Sequence, residues 1–145
     1  MEGVTMKFQV TFDAAEPEKL GAFWALALGY VQDPIPPEFE TVADFLRSVG
    51  VPEDKLDDMW ALVDPSGEGP RLFFQRVPEG KTAKNRVHLD VRTAERSVPG
   101  EDRTALRDAH VARLVEAGGS VVTEPLEPDG WTVMRDPEGN EFCVS

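Results

Sequence analysis

Trp60-Ala61-Leu62-Val63-Asp64-Pro65-Ser66-Gly67 and Trp131-Thr132-Val133-Met134-Arg135-Asp136-Pro137-Glu138-Gly139 are one plan written twice. Each is a short apolar run delivered into an Asp-Pro-x-Gly turn. Each is followed by a second short run, Arg71–Val77 and Glu141–Ser145. Upstream of each lies a strand-like segment and then a helix: Lys7–Asp13 with Pro17–Leu28, and Arg86–Arg92 with Thr104–Gly118. Two βαβββ halves therefore read off one chain. Equal halves bury a shared surface, and that surface is where a site is expected.

Local patterns support each assignment. Met6, Phe8, Val10 and Phe12 alternate with Lys7, Gln9, Thr11 and Asp13, the period of two that marks a half-buried strand. Pro17 suits a first helical turn, Glu16 and Glu18 favour its positive dipole end, and Gly29 ends it. Leu20, Phe23, Trp24, Ala27 and Leu28 form the apolar stripe between. In the second half Val87, Leu89 and Val91 face one way, and His88, Asp90 and Arg92 the other. The later helix carries Val111, Leu114 and Val115 and stops at Gly118-Gly119, with His110 expected at its surface. One segment has no counterpart. Phe39, Val42, Ala43, Leu46 and Val49 show helical spacing between Pro36-Pro37 and Gly50, as a core patch or a lid over a cavity.

Composition sets the outer limits. A chain of 145 residues suits one domain, residues 1–145, and not two independent ones. Module one covers about 6–77, with the insertion at about 34–58, and module two about 86–145. A net charge of −12 argues against nucleic acid, which requires clustered Lys and Arg. No apolar run approaches a membrane span, and Met1-Glu2-Gly3-Val4-Thr5 lacks a secretory signal's apolar core. Cys143 stands alone, which fits a reducing, cytoplasmic location.

The chemistry-bearing residues are few. There is no nucleophile elbow, phosphate-cradling loop, paired-Cys motif or His-Glu-x-x-His helix. What remains lies on strand polar faces: Gln9, His88, and Cys143 on the face shared with Glu141 and Ser145. If one sheet face is apolar and the other lines a cleft, these residues can project into one cavity. Lys81, Lys84 and Arg86 cluster ahead of His88, and Arg92 shares its face. They read as charge balance in an acidic chain, or as a clamp for an anionic ligand. Trp60, Trp131, Phe73 and Phe74 are candidate walls of a ligand cleft and equally candidate core.

These residues resemble the vicinal oxygen chelate superfamily, and within it the divergent glyoxalase-like branch. The resemblance covers nearly the whole chain. It rests on Gln9 upstream of Ala22-Phe23-Trp24 with Leu28-Gly29-Tyr30, on Arg86-Val87-His88-Leu89-Asp90-Val91, and on Asp136-Pro137-Glu138-Gly139-Asn140-Glu141-Phe142-Cys143. The segments Val77-Pro78-Glu79-Gly80-Lys81 and Asn85-Arg86-Val87-His88 are typical of that branch. The resemblance implies an α+β fold in which two βαβββ modules pair curved mixed sheets around one cleft. It also implies metal ligands on equivalent strands. Matched by position these are Gln9, His88 and Cys143, where metal-binding members carry Glu at the third place. A thiol is a poor substitute base near its ordinary pKa of about 8.5 and selects softer ions. Glu141, about 7 Å along the strand from Cys143, is the candidate ligand or general base.

Two function classes follow from the resemblance. One is a metal-dependent lyase, isomerase or dioxygenase with one divalent ion (Zn²⁺, Ni²⁺, Fe²⁺ or Mn²⁺) polarising vicinal oxygens of a small substrate. The other is a metal-free protein that sequesters a small molecule, like the bleomycin-resistance members. Both are expected to take a small-molecule ligand, neither a nucleic acid nor a membrane, and to act as a monomer or homodimer.

Overall fold

A computed structural model describes residues 3–128 and 130–145. Met1 and Glu2, which open the segment read above as lacking a signal core, lie outside the described residues. The chain divides into two compact units. One runs to Ala25 and resumes over Gly29–Pro78, and the other comprises Leu26–Leu28 and Glu79–Ser145.

The first unit contains, in order, β1 (Val10–Ala14), α1 (Pro17–Leu28), β2 (Val31–Gln32), α2 (Val42–Ser48), a 3₁₀ turn at Glu53–Lys55, β3 (Met59–Val63) and β4 (Leu72–Arg76). Its sheet runs β1-β4-β3-β2, with β1 parallel to β4 and the other pairs antiparallel. Pro17 occupies the first turn of α1, and Gly29 closes the helix at φ 70°, donating its N–H to Ala25. Leu20, Phe23 and Trp24 are buried. The Phe12 ring lies 5.1 Å from Trp24 and 5.0 Å from Phe74. The register pairs Phe12 and Trp60 with Phe74, so all three share the face that α1 covers. Thr11, Asp13, Ala61, Phe73 and Gln75 occupy the opposite face by alternation.

The second unit repeats the order: β5 (Asp90–Val91), α3 (Gly100–Glu116), β6 (Ser120–Thr123), β7 (Thr132–Arg135) and β8 (Glu141–Val144). Its sheet runs β5-β8-β7-β6, with β5 parallel to β8. Val91, Thr132, Met134, Phe142 and Val144 are buried on one face, as is Leu114 of α3. Asp90, Val133, Arg135, Glu141 and Cys143 share the other face through the register Asp90↔Cys143, Val133↔Cys143 and Arg135↔Glu141. The fold is α+β, two four-stranded mixed sheets with three helices.

Both Asp-Pro-x-Gly turns form as the repeat requires. Gly67 and Gly139 adopt φ 76° and 89° and donate to the carbonyls of Asp64 and Asp136 at 2.9 Å. The Asp64 and Asp136 carboxylates accept from the N–H of Ser66 at 2.8 Å and of Glu138 at 2.9 Å.

Three expectations are corrected. The alternation starting at Met6 does not form strand until Val10, and Met6 and Phe8 are 78% and 71% exposed. The Val10 N–H donates to the Arg71 carbonyl, and among the described residues the ladder with β4 begins there. The second strand is likewise only Asp90–Val91, so His88 stands ahead of it rather than within it, and Val87 is 82% exposed. Further upstream the Asn85 N–H donates to the Glu141 carboxylate. His110 is buried, not on the surface. Its Nδ1 lies 3.0 Å from the Arg113 guanidinium, which can only donate, so Nε2–H donates to the Ala27 carbonyl at 2.9 Å. That carbonyl is one of those a helix C-terminus leaves without an intrahelical partner.

The inserted helix is shorter than the spacing predicts. Thr41 caps α2 through the Asp44 N–H, Leu46 is its buried residue, and Phe39 precedes the helix with its ring 5.5 Å from Phe45. With the first turn of α1 and the start of β3, α2 borders a groove of about 380 Å³ lined by Glu18, Thr41, Ala43, Asp57 and Trp60.

Gly21 carries the close approach of α1 to its sheet, since a Cβ there would lie 2.4 Å from Trp60 Cδ1. For Gly21→Ala, a helix-propensity gain of about 1 kcal/mol opposes an overpacking cost of about 1–3 kcal/mol. The variant is expected to unfold at lower urea concentration than the wild type. A higher midpoint would mean that the indole yields freely.

Candidate functional site

The residues with chemistry concentrate on the exposed face of the second unit's sheet. Parallel pairing of β5 with β8 sets Asp90 directly beside Cys143. His88, just before β5, points Nδ1 at the Asp90 carboxylate, 3.3 Å away. Ligand atoms of His88, Asp90 and Cys143 all lie within 4.8 Å of one another. Cys143 is half-buried while His88 and Asp90 are exposed. Burial pushes the Cys143 thiol up, and the charge of Asp90 adds to the effect, while Lys84 opposes it. The free thiol is therefore held protonated rather than activated.

Glu141 lies two residues along β8 on the same face, and its carboxylate is committed. It accepts the Asn85 N–H at 3.0 Å and pairs with Lys81 at 3.1 Å. Those bonds, the Asn85 N–H foremost and the Lys81 ammonium after it, hold its pKa at about 2. Lys81 and Glu141 also border a groove of about 720 Å³ on this face, lined further by Lys84, Thr123, Val133 and Arg135.

Gln9, in the first unit, offers its amide oxygen to the Arg71 guanidinium at 3.1 Å, and Arg71 pairs with Asp33 at 2.9 Å and covers the Phe73 ring. A ligating oxygen already facing a guanidinium is a poor donor to a second cation. Phe74 is a fully buried core ring and no wall of an open groove, because its parity turns it toward α1. Trp60 shares that side and borders the smaller groove by α2. Trp131, immediately before β7, is 61% exposed, and Arg92 is exposed after β5.

Arg135 and the pairing of Lys81 with Glu141, 60 residues apart, also belong to this face. Arg135 was legible, since the hairpin closed by Asp136–Gly139 pairs it with Glu141. The Lys81 pairing was not, because no periodicity links a loop to a strand so distant.

A glyoxalase-like domain family model matches residues 9–145. The chain belongs to the glyoxalase-like domain family. This agrees with the vicinal oxygen chelate superfamily and with the solved structures it resembles. A hypothetical protein from S. aureus aligns at TM-score 0.63 and 17% identity, over 98% of this chain and 94% of that one. A glyoxalase/bleomycin resistance protein/dioxygenase family enzyme from Burkholderia phytofirmans PsJN aligns at 0.58 and 17%, over 94% of each chain. The fosfomycin resistance protein FosX from Mesorhizobium loti aligns at 0.59 and 11%, over 99% of this chain and 90% of that one. At such identities the likeness is one of fold. Among curated protein sequences none matches this glyoxalase-like chain significantly. Among its described residues no helix is long and apolar enough to cross a membrane.

Two outcomes test the electrostatics of this face. The Glu141 carboxyl, lowered from 4.5 to about 2, contributes stability that is present above the higher value and lost as pH falls through the lower. Glu141→Gln is therefore expected to flatten the fall in stability between those pH values, read by urea unfolding at successive pH. For Cys143, Asp90→Asn removes a charge that opposes the thiolate, so the thiol is expected to react faster with Ellman's reagent at pH 8. An unchanged rate would put Asp90 out of electrostatic reach of the sulfur.

Proposed function

We propose that this glyoxalase-like protein is a small-molecule-binding protein that holds its ligand on the exposed face of the second unit's sheet, without metal-assisted acid–base chemistry. One observation carries this reading: the carboxylate best placed to act as ligand or base, Glu141, is bound to Lys81 and the Asn85 N–H. A base with a pKa of about 2 accepts protons poorly at neutral pH. The family-matched positions Gln9, His88 and Cys143 do not amount to a hard-metal centre either. Gln9 faces Arg71, and Cys143 is a protonated thiol where a carboxylate would serve. The groove beside them combines apolar Val133 with charged and hydroxyl groups, the mixture that binds and orients small organic molecules.

A second reading is favoured by the convergence of His88, Asp90 and Cys143 within 4.8 Å. Imidazole, carboxylate and thiolate suit Zn²⁺ or another soft divalent ion, and such an ion would polarise a ligand oxygen. Its binding would have to displace the thiol proton, so uptake would rise with pH.

Elemental analysis after incubation with Zn²⁺, Ni²⁺, Mn²⁺ and Fe²⁺, without a metal-affinity tag, separates the two. The binding reading expects well below one ion per chain, with thermal stabilisation by organic ligands unaffected by chelator. About one ion per chain, lost in both His88→Ala and Asp90→Asn, would overturn it in favour of the metal reading.

A further inference from the structure

The groove on the second unit's exposed face has a charge pattern at odds with the chain around it. The protein carries a net charge of −12, yet this groove is lined by Lys81, Lys84 and Arg135. The acids beside them are occupied. Glu141 pairs with Lys81, and Glu138 at the rim makes interactions of its own. Asp136, beneath the turn, is buried and accepts from the Glu138 N–H, the Asn140 N–H and the Asn140 amide. Lys84 and Arg135 are left over. Among the described residues neither has a carboxylate partner, and the only bond of the Lys84 ammonium is a long one, 3.4 Å, to the Asn85 carbonyl. Ion pairs elsewhere in the chain engage Arg47, Arg71, Arg76 and Arg107, four of its ten arginines.

We infer that the groove takes an anionic small molecule, one bearing a carboxylate, phosphate or phosphonate held between Lys84 and Arg135 with its apolar body over Val133. This rests on the reading of that face as the binding surface and adds the chemical class. The guanidinium of Arg135 offers the planar fork that meets two oxygens at once, and Lys84 supplies a mobile point charge. Thr82 and Thr123 border the same groove and present hydroxyl donors. Lys81 and Glu141 line the same groove as a pair whose charges compensate each other, which leaves Lys84 and Arg135 as its open cations. An excess of acid elsewhere on the chain repels anions from other surfaces, so the groove is selective by position.

The test is a titration of the full chain followed by ¹⁵N–¹H NMR, with benzoate and phenylphosphonate as anionic probes and benzamide as the uncharged match. Both anions are expected to shift the amides of Lys84, Thr123, Val133 and Arg135. Lys84→Glu with Arg135→Glu, two exposed positions, should weaken them about tenfold or more, and Lys84→Arg should retain them. Sodium chloride at about 0.5 M should weaken both anions. Benzamide binding as well as benzoate at the same amides would overturn the anion assignment while leaving the binding surface intact. Shifts by neither anion at those amides would also overturn it. A neutral compound that stabilises the chain thermally and shifts that face would then show that the surface binds something else. Stabilisation by no compound at all would bring down the binding reading with it.

Discussion

Two aspartate carboxylates turned back onto their own turns hold this molecule in register. Asp64 accepts the N–H groups of Ser66 and Gly69, and Asp136 accepts those of Glu138 and Asn140. Each thereby satisfies donors that a tight turn would otherwise leave unpaired, and the following glycine adopts the left-handed backbone the turn needs. Because strand side chains alternate, a slip of one residue in either hairpin would exchange the buried and exposed faces. Trp60 and Phe74, Phe142 and Val144 would move outward, and Cys143 and Glu141 would move in. Ser66 leads the bonds that hold the Asp64 carboxyl below the usual range, which marks the same turn as electrostatically satisfied.

With the register set, the second sheet divides its labour by face. Its inward side is an apolar stack under α3, where Met134, Val144 and Phe142 are almost wholly enclosed. Its outward side collects the only thiol, a histidine, two acids and two cations that have no carboxylate partner among the described residues. What that side can do follows from which of its charges are spent. Glu141 is engaged by Lys81 and by the backbone of Asn85, and these bonds hold its carboxyl well below the usual range. Asp90 restrains the thiol rather than activating it. The first sheet shows the same economy on its exposed face, where Arg71 draws Gln9 and Asp33 to itself over the Phe73 ring.

Membership of the glyoxalase-like family explains the doubled architecture without fixing the chemistry. The fold supplies equivalent positions on successive modules, and the residues at those positions are chosen separately in each member. Here Cys143 is a thiol that burial and Asp90 hold protonated, and the Gln9 amide is already engaged by an arginine. Fold likeness to proteins of 11–17% identity carries the architecture and no activity.

The repeated turn, the strand alternation and the helical stripes were legible in the sequence because each rests on interactions within a few residues. They determined two βαβββ modules, the limits of α1, and the shared face of Glu141 and Cys143. Where a strand stops was not legible: Met6 and Phe8 alternate as well as Phe12 does, but a ladder requires a partner, and among the described residues β4 pairs with β1 only from Val10 onward. Nor was the burial of His110, whose bond to Ala27 joins residues 83 apart. The same holds for the convergence of His88 and Asp90 with Cys143 and for the pairing of Lys81 with Glu141. Local periodicity says which way a side chain faces. Only tertiary packing decides which distant charge it meets, and in this protein that meeting sets whether a carboxylate or a thiol is free to act.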